Sequence, residues 1–502
     1  MALLDGIPHT ETVEAHRPWP RAIVDNDGWM RIIDHLVAGH CTLLGLWGDW
    51  ADVHMAVLDE RARDVTVVSY ATRDGTYPSV AARHPPALRL ERAIRDLFGL
   101  EAIGAPDTRP WLDLGFWEIR HPLGMRETAH ESAPYVFLPA EGEALHQIPV
   151  GPVHAGIIEP GHFRFTANGE HVVRLEQRLG YAHKGIESLM AGATLEKASK
   201  LACRTSGDSA VAYAYAFALA AEAALQVTVP ARACYLRAMM AEMERLANHF
   251  GDIGAICNDA SFSLMHAQCG ILRERTLRAA QACFGHRLMM DVIMPGGVSH
   301  DITASGIAQM QALLTEARRV LPRLIELYDN TASLQDRTVT TGIVRPAYAR
   351  QFGAGGYVGR ASGRAFDARR ILPYAPYGDL TFEVPVLEAG DVNARVWVRI
   401  HEIEQSLSLI DQILASLPSG NTMMALPSEH KGGEGLGLVE AFRGDVLVWL
   451  RLDSETRVLR CHLRDASWFQ WPLLETAIEG NIVADFPICN KSFNCSYSGH
   501  DL

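Results

Sequence analysis

The chain has 502 residues, 48% of them hydrophobic, and a formal charge of -13. That is room for two or three domains of ordinary globular composition, and the acidic balance counts against a nucleic-acid binder, which needs a basic surplus to neutralise phosphates. Nine cysteines without paired spacing do not make a disulfide framework and point to a reducing compartment.

The first twenty residues, MALLDGIPHTETVEAHRPWP, have no basic start and no long apolar core, so no secretory signal is expected. Residues 1–120 read as a small α/β domain. Strand-like runs cover 53–58 and 64–70, and 86–100 has the apolar face of a helix in Leu88, Leu90, Ile94, Leu97 and Phe98, with Gly99 near its end. Residues 121–149 are a mixed, proline-containing stretch read as a linker.

A second domain, 150–502, opens with strand-like 163–166 and 172–175, joined across the hairpin signal Asn168-Gly169. Helix-period apolar residues then run over 182–201, 209–226, 231–257, 264–284, 304–334 and 396–417. Pro230 stands just ahead of the third of these, where a helix tolerates proline. Breaks fall at Gly180, Pro230 and Pro295-Gly296-Gly297, and the glycine-rich 353–363 reads as a flexible loop. The chain closes in short strands, including 437–452 and 458–463. The most apolar run, 210–225, is alanine-rich, contains Glu222 and is too short to span a bilayer, so it reads as a buried core helix. The fold class is α+β: a small α/β amino-terminal domain, then a mainly helical domain with β pieces at both ends.

Two motifs carry the most chemistry: Arg204-Thr205-Ser206-Gly207-Asp208-Ser209 and Asn494-Cys495-Ser496-Tyr497-Ser498-Gly499-His500-Asp501. Ser206 and Ser209 are three apart, the spacing of a chelating pair on one helical face. Their hydroxyls are hard donors that do not ionise near neutrality, whereas nickel and low-spin iron call for thiolates. The plain alternative is that Ser206 or Asp208 caps the helix that follows. Cys203, Cys489 and Cys495 lie out of register with any metal pair. No Gly-x-Gly-x-x-Gly sits between a strand and a helix, so no NAD contact by this chain is expected.

Several blocks resemble, in order, the large subunit of group 4 nickel-iron hydrogenases and the 49 kDa subunit of complex I. They are the opening Gly151-Pro152-Val153-His154, Gly180-Tyr181-Ala182-His183-Lys184-Gly185-Ile186-Glu187, Pro295-Gly296-Gly297-Val298, Asp367-Ala368-Arg369-Arg370, Gly390-Asp391-Val392-Asn393-Ala394-Arg395, and Glu440-Ala441-Phe442-Arg443-Gly444. The segment Glu91-Arg92-Ala93-Ile94-Arg95-Asp96-Leu97-Phe98-Gly99, with Tyr77-Pro78-Ser79 upstream, is similar to the signature of the 30 kDa subunit of complex I. The fused arrangement resembles formate hydrogenlyase and hydrogenase-4 large subunits, and a body without metal cysteines resembles energy-converting hydrogenase-related complexes.

The resemblance implies a set of roles. Ser206, Ser209, Ser496 and Gly499 stand where the hydrogenases place four cysteines, so no metal and no other cofactor is expected in this chain. The chain stops at Leu502 with no maturation tail to trim. Arg443 matches the arginine over the metal, with Phe442 in place of a proline. Glu187 matches a proton-gating glutamate whose carboxyl would be raised by burial, with His183 four residues earlier on the same face. The competing reading is a salt bridge from Glu187 to Arg204 or Arg443. Asp391, Arg395, Asp367 and Arg369 read as charged structural networks.

Quinone remains a candidate occupant of the cavity. His154 matches one hairpin histidine, the quinone-family tyrosine falls on Gly207, and Tyr181 or Tyr497 are alternative hydroxyls. The partners implied are a small iron-sulfur subunit, which carries the cluster, and membrane antiporter-like subunits. The place implied is peripheral, on the cytoplasmic face of a membrane, with no transmembrane helix. Three functions stay open: a subunit coupling electrons to proton uptake, a non-redox scaffold, and a quinone-reducing NADH dehydrogenase-type subunit.

Overall fold

The computed structural model describes residues 3–125, 127–128, 132–153, 158–427 and 431–502, so His154 lies outside the described residues. The head is a five-stranded sheet in the order Glu11–Thr12, Arg21–Val24, Asp64–Ala71, Asp52–Asp59, Thr42–Asp49. The Arg21–Val24 and Asp64–Ala71 strands are parallel and the other pairs antiparallel. Asp25 caps the helix Asn26–Val37 by accepting from the Gly28 N–H. The second helix, Leu88–Phe98, ends on Gly99 at φ 74, the left-handed cap that glycine supplies at no steric cost.

The body opens with a three-stranded sheet, Leu145–Val150, His162–Asn168 and His171–Arg178, turned at Gly169 with φ 58. Its first strand lies inside the segment read as a linker. Pro149 obscures it in sequence, and the strand tolerates that proline because it is at the sheet edge. The long helices are Ala210–Leu225, Ala231–Asp259, Ser263–Phe284, Ala304–Asp329 and Val392–Ser416. The run expected as one helix over 182–201 is instead two, Ile186–Met190 and Leu195–Cys203. Left-handed Gly185 and Gly192 interrupt it.

The alanine-rich helix Ala210–Leu225 is buried, as expected, and lies flat on the strand Gly433–Ala441. A carbon on Gly435 would come within 1.8 Å of the Ala220 carbonyl oxygen, and one on Gly437 within 2.1 Å of that of Ala216. The glycine-rich 353–363 is a correction: it is buried and contains the helix Gly356–Ala361. A Cβ on Gly356 would strike the Arg443 carbonyl oxygen at 2.1 Å, so glycine there serves close packing.

Head and body share one core. Trp29, Val53, Met55 and Ile94 of the head belong to the same buried cluster as Phe163, Leu175, Trp471 and Leu474 of the body. The short strand His16–Arg17 leaves the head and pairs, parallel, with Glu434 and Gly435 in the carboxy-terminal sheet. Arg21–Glu434 at 2.8 Å, Arg451–Asp49 at 2.6 Å and Arg89–Glu475 at 2.7 Å cross the same boundary.

Candidate functional site

The two motifs meet in space. After the helix Leu195–Cys203 the chain extends through Ser206 and makes a single tight turn, Gly207–Ser209, before the alanine helix begins. The helix Phe486–Phe493 stops at left-handed Asn494, and Ser496 caps the terminal helix Tyr497–Asp501 by accepting from the Gly499 N–H at 2.9 Å. The Ser206 and Ser496 hydroxyls are then 2.9 Å apart, although 290 residues separate them.

Asp208 is the hub. It accepts from the Ser206 hydroxyl at 2.7 Å, from Ser209 at 3.4 Å and from Arg443 Nη2 at 2.6 Å. Arg443 also donates to the Ser209 hydroxyl at 3.1 Å and the Asn494 carbonyl at 2.5 Å. Burial would push the Asp208 carboxyl up, but the Arg443 charge and the hydroxyl donors hold it below the usual range. Burial likewise works against the Arg443 charge, and Asp208 and Asp465 more than restore it. At Gly499 a Cβ would lie 2.7 Å from an Asp465 oxygen, which itself accepts from the Tyr213 hydroxyl at 2.9 Å. Gly207 is exposed, with open space beyond its Cα.

Neither Ser206 nor Asp208 caps the alanine helix, contrary to expectation. The cap comes from another helix: Glu244 accepts the Val211 and Ala212 N–H groups at 2.7 and 3.1 Å. Burial pushes its carboxyl up to about 8 despite those bonds.

Glu187 lies in the first turn of the helix Ile186–Met190 and is buried. Its ion partner is Arg460 at 2.8 Å, not Arg204 or Arg443. It also accepts from His462 Nδ1 and the Leu463 N–H, both at 2.9 Å. Burial would raise this carboxyl, but Arg460, His462 and the Leu463 N–H hold it down at about 2, the reverse of the expected shift. His183 is not on the same helix face, because left-handed Gly185 stands between them. Its Nδ1 meets the Asp501 carbonyl at 2.7 Å and its ring stacks on Trp117. Arg204 pairs instead with Asp291, near the surface.

The remaining candidates scatter. Tyr181 is 44% exposed, beside Arg178. Tyr497 is buried with its ring against Trp471, and its ring leaves no room for a side chain at Gly161. Asp391 caps the helix Val392–Ser416, and Arg369 pairs with Asp367 and Glu242 in a buried network, as expected of structural charges. Sequence reasoning missed Asp208 as hub, Glu244 as cap, and Arg460 and His462 as partners of Glu187. Arg460, His462 and Arg464 alternate along one strand, a polar pattern on an otherwise apolar segment.

The sequence profile of the respiratory-chain NADH dehydrogenase 49 kDa subunit matches residues 262–431 and 424–501, and that of the 30 kDa subunit matches 33–131. Formate hydrogenlyase subunit 5 of Escherichia coli (strain K12) is 32% identical over 85% of this chain and 77% of that protein. The chain belongs to the family of complex I 49 kDa subunits and membrane-bound hydrogenase large subunits, with a 30 kDa-type head. Hydrogenase-4 component G of the same organism is 30% identical over 95% of this chain and 84% of its own length. Among solved structures, a chain of the membrane-bound sulfane sulfur reductase (MBS), an archaeal respiratory membrane complex, superposes with a TM-score of 0.68 at 26% identity. It covers 72% of this chain and 99% of that one. Relatives of this oxidoreductase family are thus subunits of membrane-bound hydrogenase and complex I-like assemblies.

In this member of the 49 kDa and hydrogenase large-subunit family a nickel-iron centre does not fit the residues present. The four positions offer three hydroxyls and a glycine, and the buried Arg443 guanidinium already supplies the positive charge opposite Asp208. Among the described residues no three His, Cys, Asp or Glu side chains gather as a metal-binding group.

Proposed function

We propose that the chain is the peripheral-arm subunit of a membrane-bound, complex I-like energy-converting oxidoreductase. In it, electrons from an iron-sulfur cluster on a small partner subunit are coupled to proton uptake at a cavity that has no nickel-iron centre. One observation carries this reading. The terminal helix joins the vacated ligand positions to a buried, charged carboxylate: Ser496 stands at its start, and at its end Asp501 borders the cavity that Glu187 lines. The two ends are about 7–8 Å apart along the axis.

The names of the relatives support a membrane assembly, and no described helix is long and apolar enough to cross a membrane. Contact with the bilayer, on its cytoplasmic face, would therefore run through antiporter-like partners. Phe116 at the end of the head, and Met125, Val136 and Val153 after it, are exposed apolar groups that a partner subunit would cover. The acceptor is quinone or another small molecule, and no step is assigned to it.

A non-redox scaffold is the second reading, favoured by one fact: a carboxyl held near 2 is firmly ionised and suits a fixed strut. Glu187→Gln in the assembled complex separates the two. Loss of coupled turnover with intact assembly is expected, and unchanged turnover would leave the scaffold. Nickel content of the anaerobically purified complex, with hydrogen–deuterium gas exchange, tests the metal. No nickel and no exchange are expected, and nickel near one per chain with exchange would overturn the reading.

A further inference from the structure

Building on the reading of Glu187 as the proton-handling site, we propose that the mobile proton resides on the His462 imidazole, with Glu187 staying ionised as its counter-charge. Both Glu187 oxygens are engaged by fixed donors: Oε1 by His462 Nδ1 and the Leu463 N–H, Oε2 by Arg460. Protonating Glu187 would strand the buried Arg460 charge, a costly change. Protonating the imidazole instead leaves the Glu187–Arg460 ion pair intact. Its Nδ1 already faces Glu187, and its Nε2 is buried with no hydrogen-bond partner among the described residues. The ring stacks on Trp47 of the head, with centroids 5.0 Å apart and planes within 12°, which fixes its orientation.

A cavity of about 40 Å³ touches His462, Glu187, Arg460, His183, Ser188 and Asp501, with apolar walls from side chains such as Leu90 and Ile94. That is space for roughly two waters. The cycle balances simply. A proton from bulk solvent, relayed as an excess proton through the cavity waters, adds to Nε2 and leaves those waters neutral. The imidazolium keeps its Nδ1–H on the Glu187 carboxylate, and the Glu187, Arg460 and His462 group moves from neutral to one positive charge. Release reverses the step.

The charges facing the ring pull in opposite directions. Burial, Arg460 and Arg464 favour the neutral imidazole, and Glu187 favours the cation. Among the described residues the ring stacks on the uncharged Trp47 of the head, and around the cavity stand His183, Arg460 and Asp501. A negative charge arriving on a neighbouring redox group would draw the proton on.

The test uses the full chain labelled at histidine 13Cε1, with His462→Gln and the ring-current change in Trp47→Leu as independent assignments. One imidazole should titrate, with its midpoint below the free value of about 6.5 because burial and the Arg460 and Arg464 charges disfavour the cation. In Glu187→Gln that midpoint should fall by about one unit or more. Infrared difference spectra over the same range should show no carboxylic-acid band from Glu187. A carboxylic-acid band that vanishes in Glu187→Gln, or a His462 signal that does not titrate, would overturn the proposal. If His462→Gln does not fold, Trp47→Leu still assigns the imidazole signal, and the infrared comparison with Glu187→Gln still decides. Neither readout involves turnover, so failure here is separable from failure of the Glu187 reading itself.

Discussion

Three donors converge on Glu187, and their combined hold has a measurable consequence for stability. Its carboxyl sits at about 2, against an ordinary 4.5, so ionised Glu187 favours the folded state. The contribution, about 3 kcal/mol, is complete above the unfolded value and lost as pH falls through the folded one. Glu187→Gln should therefore lower stability by about 3–5 kcal/mol at neutral pH, since Arg460 is left buried without its partner. The deficit against the wild type should shrink as pH falls from about 4.5 towards 2. Thermal midpoints of both proteins across that range check it. Arg443→Met tests the other cluster, because it strips Asp208, Ser209 and the Asn494 carbonyl of one donor. The Asp208 side chain is 36% exposed, so the loss should be smaller, about 1–3 kcal/mol. Asp208 is also held below its usual range, so its ion-pair stabilisation fades on acidification, and the variant should melt closest to the wild type at low pH.

The alanine helix against the glycine strand makes the same kind of argument one level up. Gly437→Ala should cost about 3 kcal/mol, because the added methyl meets the backbone of Ala216 and Ala220, which cannot swing away as a side-chain end would. Gly270 is the contrast: it is exposed in the helix Ser263–Phe284 with open space around its Cα. Gly270→Ala should raise stability by about 0.5–1 kcal/mol. Opposite signs in thermal denaturation are the expected result, and equal effects would mean the close approach does not limit packing. These elements also show what sequence discloses. The alanine run, the Asn168-Gly169 hairpin and the helix starting at Ala231 are local signals, and each appears within a few residues of expectation. The glycine-rich 353–363 misleads because a glycine cleared for a neighbouring backbone looks, in sequence, like one kept for flexibility. At the site, Ser206 and Ser496 were legible as a pair only through family resemblance. The partners of Glu187 were not legible, since Arg460 and His462 are distant in sequence and only strand pairing brings them in.

At the scale of the whole molecule, the head reads in sequence as a separate domain, but its energetics are those of one body. Its hydrophobic cluster continues into the carboxy-terminal helices, its strand His16–Arg17 completes the far sheet, and its Trp47 presses on His462. Three ion pairs span the same boundary, and at least one side chain of each is mostly buried. Salt screening alone should therefore not part the two regions, because the apolar contacts remain in high salt. The chain connecting them passes through an exposed turn at Glu141, Gly142, Glu143 and Ala144. A protease site inserted there and cut should leave a nicked protein that runs as a single particle in gel filtration, at low and high salt alike. It should also melt in one transition shared by both fragments, since neither can keep its share of the core without the other. Fragments that separate on cutting, with a head that melts alone, would show the head to be a removable module. The position of Trp47 against His462 would then be a consequence of tethering and not of a common core.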